Sequence, residues 1–302
     1  MVQIVEFQSQ GTTLRGKLYL PEKVSRPSPI VVMAHGFSAT IDGMVADRYA
    51  EVFHEAGLAV LLYDHHSFGI SDGKPRQEIN KWIQTRGYSD AIDYVATLPA
   101  VNENRIAIWG DSLSGSEVIV AGAVNPRVRA IVAQVPACGN EPPPPDPEHT
   151  LFAAIKDVLL NRDLNEFPAT RVGPMPVVSF SQSAIPSHLE PLTAFRWFIE
   201  YGGRYSTNWD NRATVVSLET SIPLHPALCA PHLAAPLMIV VARDDEMPGS
   251  CSDITRLTYG LVPDPKYLVE VDGGHFGLLY YPGDLFTQVS RGQRDFLVNH
   301  LM

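Results

Sequence analysis

Cysteine is scarce in this chain. The three residues present, Cys138, Cys229 and Cys251, are odd in number and include no C-x-x-C pair. A disulfide framework or a thiolate zinc site is therefore unsupported, and free thiols in a reducing cytoplasm fit better. Basic runs are missing too. Lys and Arg number 23 against 33 Asp and Glu, a net charge of −10, which argues against a nucleic-acid surface or a polybasic membrane anchor. Nowhere do about eighteen apolar residues run together, so no spanning helix is expected. The start, Met1 to Phe7, has no basic segment leading into an apolar one, and no secretory signal is expected. No G-x-G-x-x-G follows a strand and no G-x-x-x-x-G-K-[ST] occurs, so no nucleotide cofactor is expected.

What is present is a long apolar-strand and amphipathic-helix alternation. With 302 residues, 45% of them hydrophobic, the chain can bury a large core. The first twenty residues alternate around Gly11 and end at Pro21, which predicts an antiparallel hairpin. Short continuous apolar runs at Ile30–Ala34, Leu58–Tyr63, Ile106–Trp109, Val128–Val135, Leu237–Val241 and Tyr267–Val271 read as strands buried on both faces. Helical periods separate them at about 46–56, 79–98, 113–123, 252–261 and 285–301. Such alternation predicts an α/β fold with a mostly parallel, doubly wound sheet.

The alternation stops between Pro136 and Pro236. Pro142 to Pro145 and Pro147 cannot be helix or inner strand and read as a rigid connector. Two helices are expected beyond, at 149–162 and 189–201, and no further central strand. We expect a core of residues 1–136 and 232–302 with an inserted, mainly helical cap at 137–231. The cap would lie over the carboxyl ends of the strands, where open α/β sheets bind ligands. Its aromatics Trp197, Phe198 and Tyr201, with Phe276 of the core, are candidate pocket residues.

The chemistry centres on Gly110-Asp111-Ser112-Leu113-Ser114-Gly115, which follows an apolar run and opens an apolar helix. This is a strand, a sharp turn and a helix with Ser112 at the bend, as a nucleophile elbow requires. Position 110 must be small because strand and helix nearly touch; Ser114 stands where glycine is usual. A serine hydroxyl needs a base, and His275 sits in the glycine-rich loop after the last expected strand. The base needs an orienting acid. Asp244 and Asp245 both follow the strand that ends near Val241, and Asp245 is preferred. Oxyanion donors are expected from the amide of Leu113 and, after the first buried strand, from that of Phe37, with Gly36 permitting close approach. His35 is expected to brace that loop. His65-His66 beside Asp64 and Asp72 is not expected to bind metal, because adjacent histidines project apart.

These residues carry a resemblance. His35-Gly36-Phe37, Tyr63-Asp64 with Gly69-x-Ser71-Asp72-Gly73, Trp109-Gly110-x-Ser112, the Asp244/Asp245 loop and Gly274-His275 resemble, in order, the α/β-hydrolase superfamily. The segments 71–79 and 105–110 are similar to a branch of dienelactone-hydrolase-like, X-prolyl-peptidase-like and polyketide-transferase-like proteins. The resemblance covers 1 to about 136 and 232–302, and hardly touches the cap. Set against the branch's Ala-x-x-Asp pattern, Ala242 points to Asp245. Ser114 and the His65-His66 pair depart from the branch and are expected to reshape the pocket entrance.

The resemblance implies the α/β-hydrolase fold and a serine hydrolase that cleaves an ester or thioester. Ser112 would be nucleophile, His275 base, Asp245 orienter, and Phe37 and Leu113 oxyanion donors. An acyltransferase or polyketide-releasing enzyme using the same residues is the alternative, and a non-catalytic ligand-binding homologue a third. The expected partner is a small-molecule acyl substrate in the cytoplasm, with the chain itself as a possible homodimer. No cofactor, metal, nucleic acid or membrane is expected.

Overall fold

The computed structural model describes residues 2–21, 27–204 and 207–302. Strands β1 (Val2–Ser9) and β2 (Thr12–Tyr19) form an antiparallel hairpin. Its two-residue turn, Gln10-Gly11, has positive φ at both positions, the geometry that matches the twist of the flanking strands. The chain continues through β3 (Ser28–Ala34), α1 (Ala46–Glu55), β4 (Ala59–Tyr63), β5 (Glu78–Ile79), α2 (Lys81–Ala96), β6 (Val101–Asp111), α3 (Ser112–Val124) and β7 (Val128–Gln134). The next segment holds α4 (Thr150–Asn161), β8 (Ala169–Met175), α5 (Leu192–Tyr201) and β9 (Ala213–Leu218). It is followed by α6 (Pro226–Cys229), β10 (Leu237–Ala242), α7 (Ser252–Leu261), β11 (Lys266–Val271) and α8 (Asp284–Leu301).

The main sheet has eight strands in the order β1-β2-β4-β3-β6-β7-β10-β11, parallel from β4 to β11. Alternate residues of each inner strand serve opposite faces. Val31 and Met33 of β3 pack with Tyr49 and Phe53 of α1 and Phe286 and Phe296 of α8. Ile30, Val32 and Ala34 pack with Tyr88 and Ile92 of α2 and Val118 and Ile119 of α3. Burial on both faces is why these strands read as unbroken apolar runs rather than alternating ones. Among the described residues no helix is long and apolar enough to cross a membrane.

The segment after β7 holds strands as well as the helices of the mainly helical expectation. Strands β8 and β9 pair antiparallel, and β5 adds to β9 in parallel to make a second, three-stranded sheet. β8 is exposed along most of its length and carries Gly173 and Pro174, so its sequence gives no buried-strand signal. The pairing of β5 also delays α2, expected from 79. The helix starts at Lys81 after Asn80 Oδ1 accepts the N–H groups of Trp82 and Ile83 at 3.1 and 3.3 Å.

Candidate active site

The β6–α3 junction turns at Ser112, whose φ of 55° lies in the left-handed region, a conformation costing a non-glycine residue roughly 1–2 kcal/mol. The turn is closed by two glycines. A Cβ on Gly110 would meet the Ser114 carbonyl oxygen at 2.4 Å, and one on Gly36 would meet the Asp111 carbonyl oxygen at 2.8 Å and Ser112 Cβ at 2.9 Å. Only glycine lets the loop after β3 sit directly on the elbow. That loop carries Phe37. The Leu113 N–H lies in the first turn of α3 and has no intrahelical acceptor. The Ser112 hydroxyl makes no hydrogen bond among the described residues and lines a cavity of about 220 Å3.

His275 lines the same cavity. Its Nδ1 lies 2.7 Å from Asp245 Oδ2, and the two side chains are 2% and 4% exposed. The other carboxylate oxygen, Oδ1, accepts the Met247 N–H at 3.0 Å. A carboxylate only accepts, so Nδ1 carries a proton, and in the neutral imidazole the lone pair is on Nε2. Asp244 is exposed and gives only its backbone N–H, to Gly273 O at 3.1 Å. The hydrogen bond thus falls to Asp245. No hydrogen bond joins Ser112 Oγ to His275 among the described residues, though both line the same cavity.

His35 clamps the loop that bears Phe37. Its Nε2–H donates to the Met44 carbonyl, and Nδ1 lies 3.1 Å from Asp111 Oδ1, which also accepts the Gly36 N–H at 3.0 Å. Burial alone would lower the imidazole pKa, but the charge and hydrogen bond of Asp111 and the Met44 carbonyl together raise it. The buried pair therefore holds the residue before Ser112 against the loop that bears Phe37.

Ser114 and His65 lie beneath the pocket rather than at its entrance. Ser114 is 1% exposed. Its Oγ lies 2.8 Å from the His35 carbonyl, 2.8 Å from His65 Nε2 and 2.9 Å from Glu117 Oε2. Burial pushes Glu117 up to about 8 and His65 down to about 3. At neutral pH the Glu117 acid and the His65 Nε2–H both donate to Ser114, whose own proton goes to the His35 carbonyl. His65 Nδ1 and Glu117 Oε1 are then plain acceptors, and neither has a partner among the described residues. A hydroxyl at position 114 thus tethers the loop after β3 to α3. His66 points elsewhere, to Thr12 Oγ1 at 2.8 Å.

The cavity walls are largely apolar. Trp197 and Phe198 of α5 and Phe276 line them, with Trp197 stacked on Phe276 at 5.1 Å and its Nε1–H donating to Leu279 O at 2.9 Å. Tyr201 does not line this cavity. It lies one turn further along α5, accepts the Tyr281 N–H at 2.9 Å and faces a separate cavity with Asp42 and Arg48. The turn that carries Trp197 inward carries Tyr201 past the rim. Three polar side chains escaped the sequence reading. His188 lines the cavity with its Nε2–H given to the Ala213 carbonyl at 3.0 Å. Lys81 lines it from the start of α2. Glu246 Oε2 accepts the His275 N–H at 2.9 Å, while Oε1 accepts from Thr193 Oγ1 of α5. Glu246 was visible only as one of three consecutive acids.

Comparison with known proteins agrees with this architecture. Residues 10–140 match the family model for X-Pro dipeptidyl-peptidase (S15 family). A thiohydrolase, aneE of Aspergillus aculeatus, is 41% identical over 133 residues, 44% of this chain and 41% of its own length. The chain thus aligns with less than half of that relative. The polyketide transferase grgF of a Penicillium species is 30% identical over 303 residues, covering 98% of this chain and 96% of its own. The crystal structure of the α/β hydrolase GrgF from Penicillium sp. sh18 superposes with a TM-score of 0.72 at 28% identity, covering 100% of this chain and 99% of that one. The chain belongs to the α/β-hydrolase superfamily of enzymes, in the branch that holds this polyketide transferase.

Proposed function

We propose that the protein is a serine hydrolase that opens a carboxylic ester or thioester through an acyl-enzyme on Ser112. The observation that carries this reading is the Asp245–His275 hydrogen bond at 2.7 Å, whose imidazole lines the same cavity as a strained serine with a free hydroxyl. His275 Nε2 takes the Ser112 proton as Oγ attacks the carbonyl carbon. The Phe37 and Leu113 amides donate to the oxyanion that develops. Collapse breaks the bond to the leaving alkoxide or thiolate, which receives the proton from His275. Water, deprotonated by His275, then releases the acid. Asp245 fixes the tautomer throughout and stabilises the imidazolium.

In this reading residues 137–231 cap a core of 1–136 and 232–302, and Trp197, Phe198 and Phe276 hold the acyl chain. The substrate is a small acyl compound, the setting cytoplasmic, in keeping with three free thiols, and the chain a homodimer that sedimentation would distinguish from a monomer. A dipeptidyl-peptidase activity fits less well. It calls for an acid to hold the substrate's terminal ammonium, and Asp111, the one carboxylate lining the cavity among the described residues, is engaged by His35.

Transfer of the acyl group to an alcohol or amine is the second reading. The apolar wall of Trp197 and Phe198 favours it by holding water away from the acyl-enzyme, and a relative matched over nearly its full length is called a polyketide transferase. The test is turnover of p-nitrophenyl butyrate and of an acyl thioester by the wild type and by Ser112→Ala. Loss of about 10⁴-fold or more in kcat supports the reading, and retained activity overturns it. Adding methanol or an amine then partitions hydrolysis from transfer by product analysis.

A further inference from the structure

One cation in the candidate site has no assigned task. Lys81 lines the cavity together with Ser112, His275 and Gly139. Lys81 is an exposed residue at the cavity's edge, and among the described residues its ammonium makes neither a hydrogen bond nor an ion pair. The groups whose fields reach it do not offset its charge. Burial pushes Glu117 up to about 8 and the Cys138 thiol up to about 12, and holds the His225 imidazole down. All three are mainly neutral near pH 7. The protein packed around Lys81 lowers its own pKa by stripping water from the ammonium.

The position is also wrong for helix stability. Lys81 is the first residue of α2, whose first turn contains no acid. A cation there is repelled by the positive end of the helix dipole. Yet the site is held firmly. Ile79 of β5 pairs with Val215 of β9, which lines the cavity too, and Asn80 caps the helix immediately before Lys81. The second sheet thus fixes an unpaired positive charge at a cavity whose lining includes the large apolar side chains Trp197, Phe198, Phe276 and Leu279.

We propose that Lys81 is a specificity residue that binds a carboxylate carried by the acyl substrate, making half-esters or half-thioesters of dicarboxylic acids the preferred substrate class. The inference takes the cavity above Ser112 as the substrate site, as in the function proposed above. The ammonium gains a charge-assisted hydrogen bond beside a largely apolar lining. A neutral acyl chain of equal length leaves the cation unpaired.

The test separates binding from turnover. In Ser112→Ala protein, calorimetry compares adipic acid monoamide, an anion, with neutral adipamide. The anion is expected to bind about tenfold tighter or more, the size of one charge-assisted hydrogen bond. Adding Lys81→Met should erase that preference and Lys81→Arg should keep most of it. Equal affinities for the two amides with Lys81 in place overturn the proposal without recourse to any variant at 81, as does a preference that survives Lys81→Met. In protein with Ser112 intact, kcat/KM for mono-p-nitrophenyl adipate relative to p-nitrophenyl hexanoate should fall about tenfold on Lys81→Met. An unchanged ratio counts against the proposal. Because binding is read without the serine, a failure of the nucleophile assignment leaves the Lys81 result legible.

Discussion

Glu246 accepts the backbone N–H of His275 at 2.9 Å, so the loop that bears the imidazole is held by the residue next to the one that orients its ring. The same carboxylate accepts from Thr193 at the start of α5, tying the inserted segment to the histidine loop. Glu246→Ala is expected to lower kcat about tenfold to a hundredfold with little change in KM, since a misplaced base loses alignment rather than substrate. Glu246→Gln keeps an acceptor and should recover most of the loss. Steady-state kinetics on a p-nitrophenyl ester checks both.

Asp244 and Asp245 are adjacent in the chain but differ in burial and in their contacts. Asp245→Asn can present an amide N–H to Nδ1, which favours the wrong tautomer, and should cost about 10⁴-fold in kcat. Asp244→Asn, on an exposed side chain, should stay within about twofold. Comparable losses in the two variants would contradict the assignment.

Glu117 should make stability fall with rising pH. Its folded-state pKa, about 8, stands above the ordinary value of 4.5 because burial disfavours the carboxylate. Between those values the folded chain binds more protons than the unfolded one, so stability declines from about pH 4.5 to about pH 8 and then levels. Glu117→Gln, whose amide can donate to Ser114 as the acid does, removes this contribution. Thermal unfolding across that range should show the variant gaining on the wild type as pH rises. A constant difference would mean that Glu117 is ionised in the fold.

Ser112 is held at a φ of 55°. Ser112→Gly relieves the strain that Ser112→Ala retains, and the glycine variant should be more stable by about 1 kcal/mol in spite of its freer unfolded chain. Denaturant melts of the two inactive proteins give the difference. An alanine variant as stable as the glycine one would show that the elbow stores no strain.

The sequence speaks most clearly where both faces of a strand are buried. Ile30–Ala34 and Leu237–Val241 are apolar throughout because helices cover them on either side. Ser112, His275 and the Asp244/Asp245 pair could be found because each follows such a run directly. Strands β8 and β9 left little trace, since β8 is an exposed edge and β5 is only two residues long. Lys81 was hidden for the same reason: nothing in residues 78–81 shows that a distant strand will pair with them. Tyr201 went the other way. Helical spacing groups it with Trp197, but four residues of rise carry it to a different cavity. Ser114 looked like a blemish in the elbow and is instead the hub of a buried hydrogen-bond network.

The most direct test of the central claim is covalent labelling with a fluorophosphonate, read by intact mass and by mapping the modified peptide. We expect one adduct per chain, on Ser112, abolished in Ser112→Ala and much slowed in a folded His275→Gln variant. A wild-type protein that stays unlabelled while folded, or an adduct on another serine, would contradict the assignment of Ser112 as the nucleophile.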